Sequence, residues 1–388
     1  MDEIFVDEDT TRIRDTVARL VARHVAPIAE ACDEEDRFPV ELKQVLFNAG
    51  LLTMAIPEEH GGAGATTQAL SVVLEEISRG FATMGPVLLS TFSPIKIVAA
   101  AGKPHQQRAF FSAMAAKPSI AAFCLSEPHC GSDARAMRTR AVRRDGRWVI
   151  NGQKRWITNG SVADQYLLFC RNGDGRNDIS VFVVPAGAAG LSFGKKERKM
   201  GLRGGPMCDV ILENVEVGEE CLIGEVGDGW RILERIANTM RCWGAGSICL
   251  GIAGAALDVA ARYANQRTAF GKPIGKFQGI GFKLADMATA LRTAQLLVRD
   301  TNWRVDREFP DVSPATLAQV SMAKCWAADV GMKVTTEAVQ VLGGYGYVRE
   351  YHVERMMRDA KVFQILDGSN EVQRIILGRH VLAAAGGA

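Results

Sequence analysis

Apolar residues recur at helical spacing over positions 11–32 and 68–78, which predicts amphipathic helices in a first region spanning 1–117. Between them, His60-Gly61-Gly62-Ala63-Gly64 reads as a turn. The period changes near Ser119. Short β-rich runs follow at 120–125, 148–150, 166–170, 179–184 and 210–212. Asp145-Gly146 lies between two such runs and predicts a hairpin turn, and Asn151-Gly152 offers a second junction of the same kind. Together these runs predict a central antiparallel β domain over 118–225, an ordinary domain length. From Gly229 the helical period returns and persists over 230–266, 279–307, 314–341 and 370–384. Long helices with short connectors predict an antiparallel helix bundle over 226–388. The expected class is therefore α+β, in the order helices, sheet, helices.

Composition narrows the function. A net charge of +2 gives no field suited to nucleic acid or an anionic membrane. No apolar run reaches 18 residues, so no membrane span is expected. Nine cysteines lie scattered, without a CxxC pair or zinc spacing, and read as reduced thiols of a cytoplasmic protein. The opening Met1-Asp2-Glu3-Ile4 is acidic and lacks the layout of a signal peptide. No GxGxxG, P-loop, GxSxG or HExxH motif occurs.

Five segments carry candidate chemistry. The run 124–133, Cys-Leu-Ser-Glu-Pro-His-Cys-Gly-Ser-Asp, leaves a β run for a polar loop in which Ser126 and Ser132 offer hydrogen bonds; its plain alternative is a surface turn. In Trp156-Ile157-Thr158-Asn159 a ring and a hydroxyl share one side of a strand, as a flat aromatic ligand or an ordinary core would need. Arg267, with Phe270 and Gln278 following, stands at a helix end, suited to a phosphate or simply to the helix dipole. Gln340 opens a helix end bearing Gly343, Gly344 and Gly346, which permit close backbone approach and also serve as a C-cap. Asp367 follows an apolar run and precedes a helix, where an aspartate is commonly a turn residue.

Taken together and in order, these segments resemble the acyl-CoA dehydrogenase family over nearly the whole chain. Its Ser/Thr-Glu-Pro-x-x-Gly-Ser-Asp loop is met at 126–133, its Trp-Ile-Thr-Asn run at 156–159 and its Arg-x-x-Phe-Gly element at 267–271. Its Gln-x-x-Gly-Gly-x-Gly helix end is met at 340–346 and its Arg-Asp-Ala-Lys segment at 358–361. The resemblance implies an N-terminal helical domain, a central β domain and a C-terminal bundle, assembled as dimers or tetramers with FAD across a subunit boundary. It implies that Ser126 contacts the flavin edge, that Trp156 packs on the isoalloxazine and that Thr158 bonds near N5. Arg267, Phe270 and Gln278 would reach a neighbour's FAD; Gln340 and Gly344 would line its dinucleotide part. Ser369 and Glu371 match cofactor-side positions after the base, Ser132 a position near the substrate's carrier arm, and Arg241 an arginine beside the active site.

The implied activity is dehydrogenation of an acyl thioester, carried by CoA or an acyl carrier protein. An α-proton would pass to Asp367 and a β-hydride to flavin N5, with electrons leaving to an electron-transfer flavoprotein. The sequence departs from the family at the base: Asp367 stands where glutamate is usual, one methylene shorter, a shift on the scale that disturbs near-attack geometry. Met240, at the alternative base position, cannot take a proton. His129, Cys130 and Trp243 add bulk near the acyl pocket or serve ordinary packing. Rival readings are an oxidase or monooxygenase on the same fold, as in the nitroalkane oxidases, which also use aspartate, and a flavin-bearing binding protein.

Overall fold

A computed structural model describes residues 7–386, so the N-terminal segment 1–4 lies outside the described residues. The first region is helical: α1 (Glu8–Leu20), α2 (Ala29–Glu34), α3 (Glu41–Asn48), α4 (Thr67–Gly80), α5 (Met84–Ala101) and α6 (Pro104–Ala115). Asp7 starts α1 by accepting the Thr10 amide, and Thr66 starts α4 by accepting that of Ala69, so each helix begins where a short oxygen-bearing side chain meets an apolar stripe.

The middle region folds as one sheet of β1 (Ala121–Cys124), β2 (Arg140–Arg144), β3 (Arg147–Thr158), β4 (Gln165–Arg171), β5 (Ile179–Pro185), β6 (Leu191–Phe193), β7 (Met207–Val217) and β8 (Leu222–Ile223). The order is β6-β7-β3-β2-β4-β5-β8, with β1 paired to β4. Most pairings are antiparallel as expected, but β1 runs parallel to β4, and β2 meets β4 in a single parallel pair, so the sheet is mixed. Period-2 alternation explains why β4 and β5 read as unbroken apolar runs. Leu167, Phe169, Ile179 and Val181 face the helical core, while Tyr166, Leu168, Cys170, Phe182 and Val184 fill a second core within the sheet domain.

Asp145 (φ 48°) and Gly146 (φ 77°) form the tight turn joining β2 to β3, as the sequence predicts. Asn151-Gly152 does not turn. The chain runs straight through it inside β3, and the register against β7 slips there, with Gly152 at φ 149°. A Cβ on Gly152 would lie 2.6 Å from Thr139 Cα, so the glycine marks a bulge and a close backbone approach.

The last region comprises α7 (Gly229–Arg235), α8 (Ser247–Gln266), the short hairpin β9 (Thr268–Ala269) and β10 (Lys272–Pro273), α9 (Gln278–Glu308), α10 (Pro314–Leu342), α11 (Val353–Lys361) and α12 (Asn370–Ala384). The expected single helix over 230–266 is broken by a 3-10 turn at Ala237–Thr239 and a π-turn at Arg241–Gly246. One buried core joins this bundle to the first region. It closes tightly: a Cβ on Gly251 of α8 would lie 2.1 Å from the Glu75 carbonyl of α4. The segments Met84–Ala101 and Gly229–Gln266 are long and apolar enough to cross a membrane, but 72% and 78% of their most apolar stretches lie buried inside the protein, as core helices do.

Candidate active site

Asp367 sits between α11 and α12 in a turn of two consecutive left-handed residues, itself at φ 53° and Gly368 at φ 79°. Aspartate tolerates this backbone better than longer side chains do, which gives a local reason for its choice. Ser369 follows and caps α12, its Oγ accepting the Val372 amide at 3.4 Å. Arg241 arrives from the π-turn, an irregularity often found at functional positions, and donates to Gln373 Oε1 at 3.4 Å. Lys324, on α10, is fully buried and donates to the Gly368 carbonyl at 2.9 Å and to Asn370 Oδ1 at 3.1 Å. Gln373 Nε2 donates to the same Gly368 carbonyl at 2.9 Å.

Burial raises the Asp367 pKa, and the positive charges of Lys324 and Arg241 pull against it without cancelling it. Burial likewise brings the Arg241 guanidinium down to about 10, with Asp367 opposing. Met240 is buried beside Arg241 in sequence and offers no proton acceptor. Among the described residues the backbone N–H of Asp367 has no acceptor within the chain.

A second group forms on the sheet domain. The loop after β1 is anchored by Glu127, whose buried carboxylate accepts Lys154 Nζ at 2.8 Å and the amides of Arg138 and Thr139 at 2.6 and 3.0 Å. The Arg155 amide donates to the Ser126 carbonyl at 2.8 Å, so loop and strand β3 are joined where the sequence placed candidate residues. Between Lys154 and Ile157 the strand carries one extra residue relative to β7, and Trp156 takes φ 62°. A bulky aromatic residue in the left-handed region is strained, and here the strain holds the indole outward, 52% exposed. The Arg155 guanidinium lies 4.2 Å from the Trp156 ring centre, itself held by Asp209 at 2.9 Å and Glu197 at 3.3 Å. Among the described residues the hydroxyls of Ser126, Ser132 and Thr158 have no hydrogen-bond partner. Asn159, by contrast, is structural: its buried amide donates to the carbonyls of Val87 and Ala121.

The third group lies at the α8 end. Arg267 is exposed and shares a cleft of about 460 Å³ with Tyr263, Gly343, Gly344 and Tyr345, its guanidinium 5.1 Å from the Tyr345 ring. Phe270 (φ 51°) and Gly271 (φ 78°) form the tip of the β9–β10 hairpin, and Phe270 is 95% exposed. Gln278, at the start of α9, and Gln340, in the last turn of α10, are exposed near this end but do not line the cleft. Glu371 is exposed in the first turn of α12, where its own backbone amide and then Ser369 hold its carboxylate below its usual pKa.

The Arg-Asp-Ala-Lys segment proves to be a clamp. Arg358 binds Asp33 of α2, Glu354 and the Met200 carbonyl, and Asp359 accepts the Leu202 amide, tying α11 to both other regions. Sequence reasoning missed Lys324, Gln373 and the Glu127–Lys154 pair. Lys324 carried a signal, because it falls on the apolar face of α10 among the buried Val320, Ala323, Ala327 and Ala328.

Sequence models of the acyl-CoA dehydrogenase N-terminal, middle and C-terminal domains match residues 7–118, 122–215 and 227–382. The chain belongs to the acyl-CoA dehydrogenase family. It is 40% identical to an acyl-CoA dehydrogenase of Bacillus subtilis over 97% of this chain and 99% of that one. Butyryl-CoA dehydrogenase from Megasphaera elsdenii superposes with a TM-score of 0.93 at 34% identity, covering 98% of this chain and 100% of that one. An acyl-CoA dehydrogenase from Bacillus anthracis complexed with FAD superposes with a TM-score of 0.90 at 29% identity, covering 98% of this chain and 68% of that one. Within the acyl-CoA dehydrogenase frame, the residues fit FAD. An exposed indole in a strained backbone and the unpartnered hydroxyls of Ser126 and Thr158 suit a flat heteroaromatic ring with polar edges. An arginine facing glycines suits a diphosphate, since a Cβ on Gly344 would meet no protein atom within 4 Å.

Proposed function

We propose that this chain is an FAD-dependent acyl-CoA dehydrogenase in which Asp367 removes the α-proton of an acyl thioester, giving an α,β-unsaturated product. The observation that carries this reading is the Asp367 carboxylate itself: half-buried in a left-handed turn, its pKa raised by burial toward the range useful to a general base, and steadied by two flanking cations. Bound FAD supplies the acceptor for the β-hydride. The backbone N–H of Asp367, without an acceptor among the described residues, is available to donate to the thioester oxygen as charge develops there. Ser126, Trp156 and Thr158 hold the ring, with Ser132 on the substrate side. Arg267, Phe270, Gln278, Gln340 and Gly344 hold the dinucleotide part. Ser369 orients the base through its cap, and Arg241 packs against the Gly368 turn.

Two electrons must leave after each turnover, and the acceptor proposed for them is an electron-transfer flavoprotein. The Phe270 hairpin, almost wholly exposed beside Arg267, supports a dimer or a dimer-of-dimers tetramer in which it reaches a neighbouring subunit. All nine cysteines are free, which supports a cytoplasmic location. A division at 117/118 and 225/226 follows the change from helix to strand after Ala115 and back at Gly229.

The test is anaerobic stopped-flow bleaching of the flavin with a panel of acyl-CoA thioesters. Asp367→Asn keeps size and the left-handed turn but removes the proton acceptor. It should retain FAD and slow reduction by about 10²-fold or more, the scale of positioned base catalysis. An Asn variant that bleaches at the parental rate removes Asp367 from the mechanism.

A further inference from the structure

Lys324 is a buried ammonium without a direct ion pair. Its Nζ bonds a backbone carbonyl, Gly368 O, and an amide oxygen, Asn370 Oδ1. Among the described residues no carboxylate lies within ion-pairing distance of it. Burying a charge on the apolar face of a helix is costly, and two neutral acceptors only partly offset that cost. Burial lowers the Lys324 pKa, and the group that most opposes this is the Asp367 carboxylate, one residue before the carbonyl it grips. Asn370 is itself fixed, donating to the Cys325 carbonyl at 3.3 Å and to Asp329 Oδ1 at 2.8 Å, so the lysine is aimed by a rigid frame on α10.

We propose that Lys324 is the positioning residue of the base: its hydrogen bond to the Gly368 carbonyl holds the 367–368 turn in its left-handed form and fixes a buried cation beside Asp367. The proposal rests on Asp367 being the base. Several titratable or charged groups share this pocket. Arg241 approaches from the π-turn, Cys249 from α8, and Cys325 and Asp329 from α10, with Arg374 of α12 paired to Asp329 at 2.6 Å. Of these, only Lys324 and Arg241 bear on the Asp367 carboxyl itself, and both favour its charged form.

The sign follows directly. Burial raises the carboxyl pKa and Lys324 lowers it, so loss of the lysine charge raises it further and the base is protonated at a higher pH. The experiment is the pH profile of single-turnover flavin reduction by an acyl-CoA, with FAD content read from the flavin absorbance. Lys324→Gln keeps a donor for Gly368 and loses the charge; Lys324→Met loses both; Lys324→Arg keeps the charge. The acid limb should move up by about one pH unit or more in the Gln and Met variants and stay near its parental position in Arg. The Met variant should also show a lower high-pH plateau, because its turn is no longer held. An FAD-loaded Gln variant with an unmoved acid limb overturns the proposal. So does a Gln variant that fails to fold or to take up FAD, since that assigns the lysine to the fold and not to the base. Asp367→Asn measured alongside separates the two ideas: if it reduces at the parental rate, the base assignment has failed independently of Lys324.

Discussion

Replacing Glu127 by glutamine probes whether the loop around Ser126 is held by one buried ion pair. The Glu127 and Lys154 side chains are 1% and 0% exposed, with their charged atoms 2.8 Å apart. Burial pushes the Glu127 carboxyl up, but Lys154 and the hydrogen bonds from Thr139 and Arg138 more than cancel this, and its pKa lies below the usual value. That shift gives stability present at neutral pH and lost only as pH falls through the lowered pKa. Glu127→Gln removes the charge and turns one oxygen into a donor facing other donors. Breaking a buried pair by removing one partner costs about 3–5 kcal/mol. A backbone N–H left without an acceptor adds about 1–3 kcal/mol, partly overlapping the first figure. A net of about 4 kcal/mol corresponds to roughly 10³ in an opening equilibrium. Hydrogen exchange read by mass spectrometry should show that loss of protection at the Arg138 and Thr139 amides, with α9 and α10 unchanged. The double change Glu127→Leu with Lys154→Met removes the buried charges but leaves both amides without an acceptor, so it should recover only part of that protection. A single Gln variant whose amides lose less than about threefold in protection would refute the claim that this pair pins the loop.

Two further outcomes follow from the geometry. Burial raises the Asp359 pKa to about 6, with the Leu202 amide and Arg355 opposing, so its carboxylate costs stability progressively as pH rises from the unfolded value near 4 to about 6. Asp359→Asn should therefore be more stable by up to about 3 kcal/mol at pH 7.5 and close to the parent at pH 4, checked by urea unfolding at both; equal effects at the two pH values would contradict it. Arg267→Ala should weaken FAD binding about tenfold or more through loss of a charge-assisted contact, with little change in the melting temperature of the FAD-free protein, since Arg267 is exposed and contacts Tyr345 only loosely. Fluorescence titration of apoprotein with FAD checks this, and an unchanged affinity would remove Arg267 from the cofactor site.

The long amphipathic helices were legible because their signal is summed over many turns: α9 and α10 begin and end within one residue of their apolar patterns. Asp145-Gly146 was legible because both residues favour the left-handed conformation that a two-residue turn requires. The same logic failed at Asn151-Gly152, where Gly152 answers a tertiary demand, the backbone approach of Thr139. No local pattern announces the parallel pairing of β1 with β4, because the partner lies some forty residues away. Four of the motifs carry the candidates Ser126, Trp156, Arg267 and Gly344, and Asp367 follows the fifth, but none of them gives the reasons for their neighbours. Glu127 lies in the 126–133 motif and Asn159 in the 156–159 motif, and both prove to be anchors, while Arg358 of the 358–361 signature proves to be a clamp. Lys324 carried a signal in its apolar stripe, but what it binds, the Gly368 carbonyl and Asn370, only the fold brings to it.

The π-turn at Arg241–Gly246 makes the site depend on a count as well as on residue types. In an α-helix each residue advances the phase by about 100° and 1.5 Å. Removing any one residue of 242–246 would let the helix close into regular geometry and swing Arg241, with α7 behind it, around the axis and away from the Gly368 turn. Every side chain named in the site would still be present, and no substitution would have occurred. A relative of the same composition but one residue shorter there would therefore carry the full set of motifs with its arginine pointing elsewhere, so the spacing between Arg241 and Ser247 is as much a part of the site as the arginine itself.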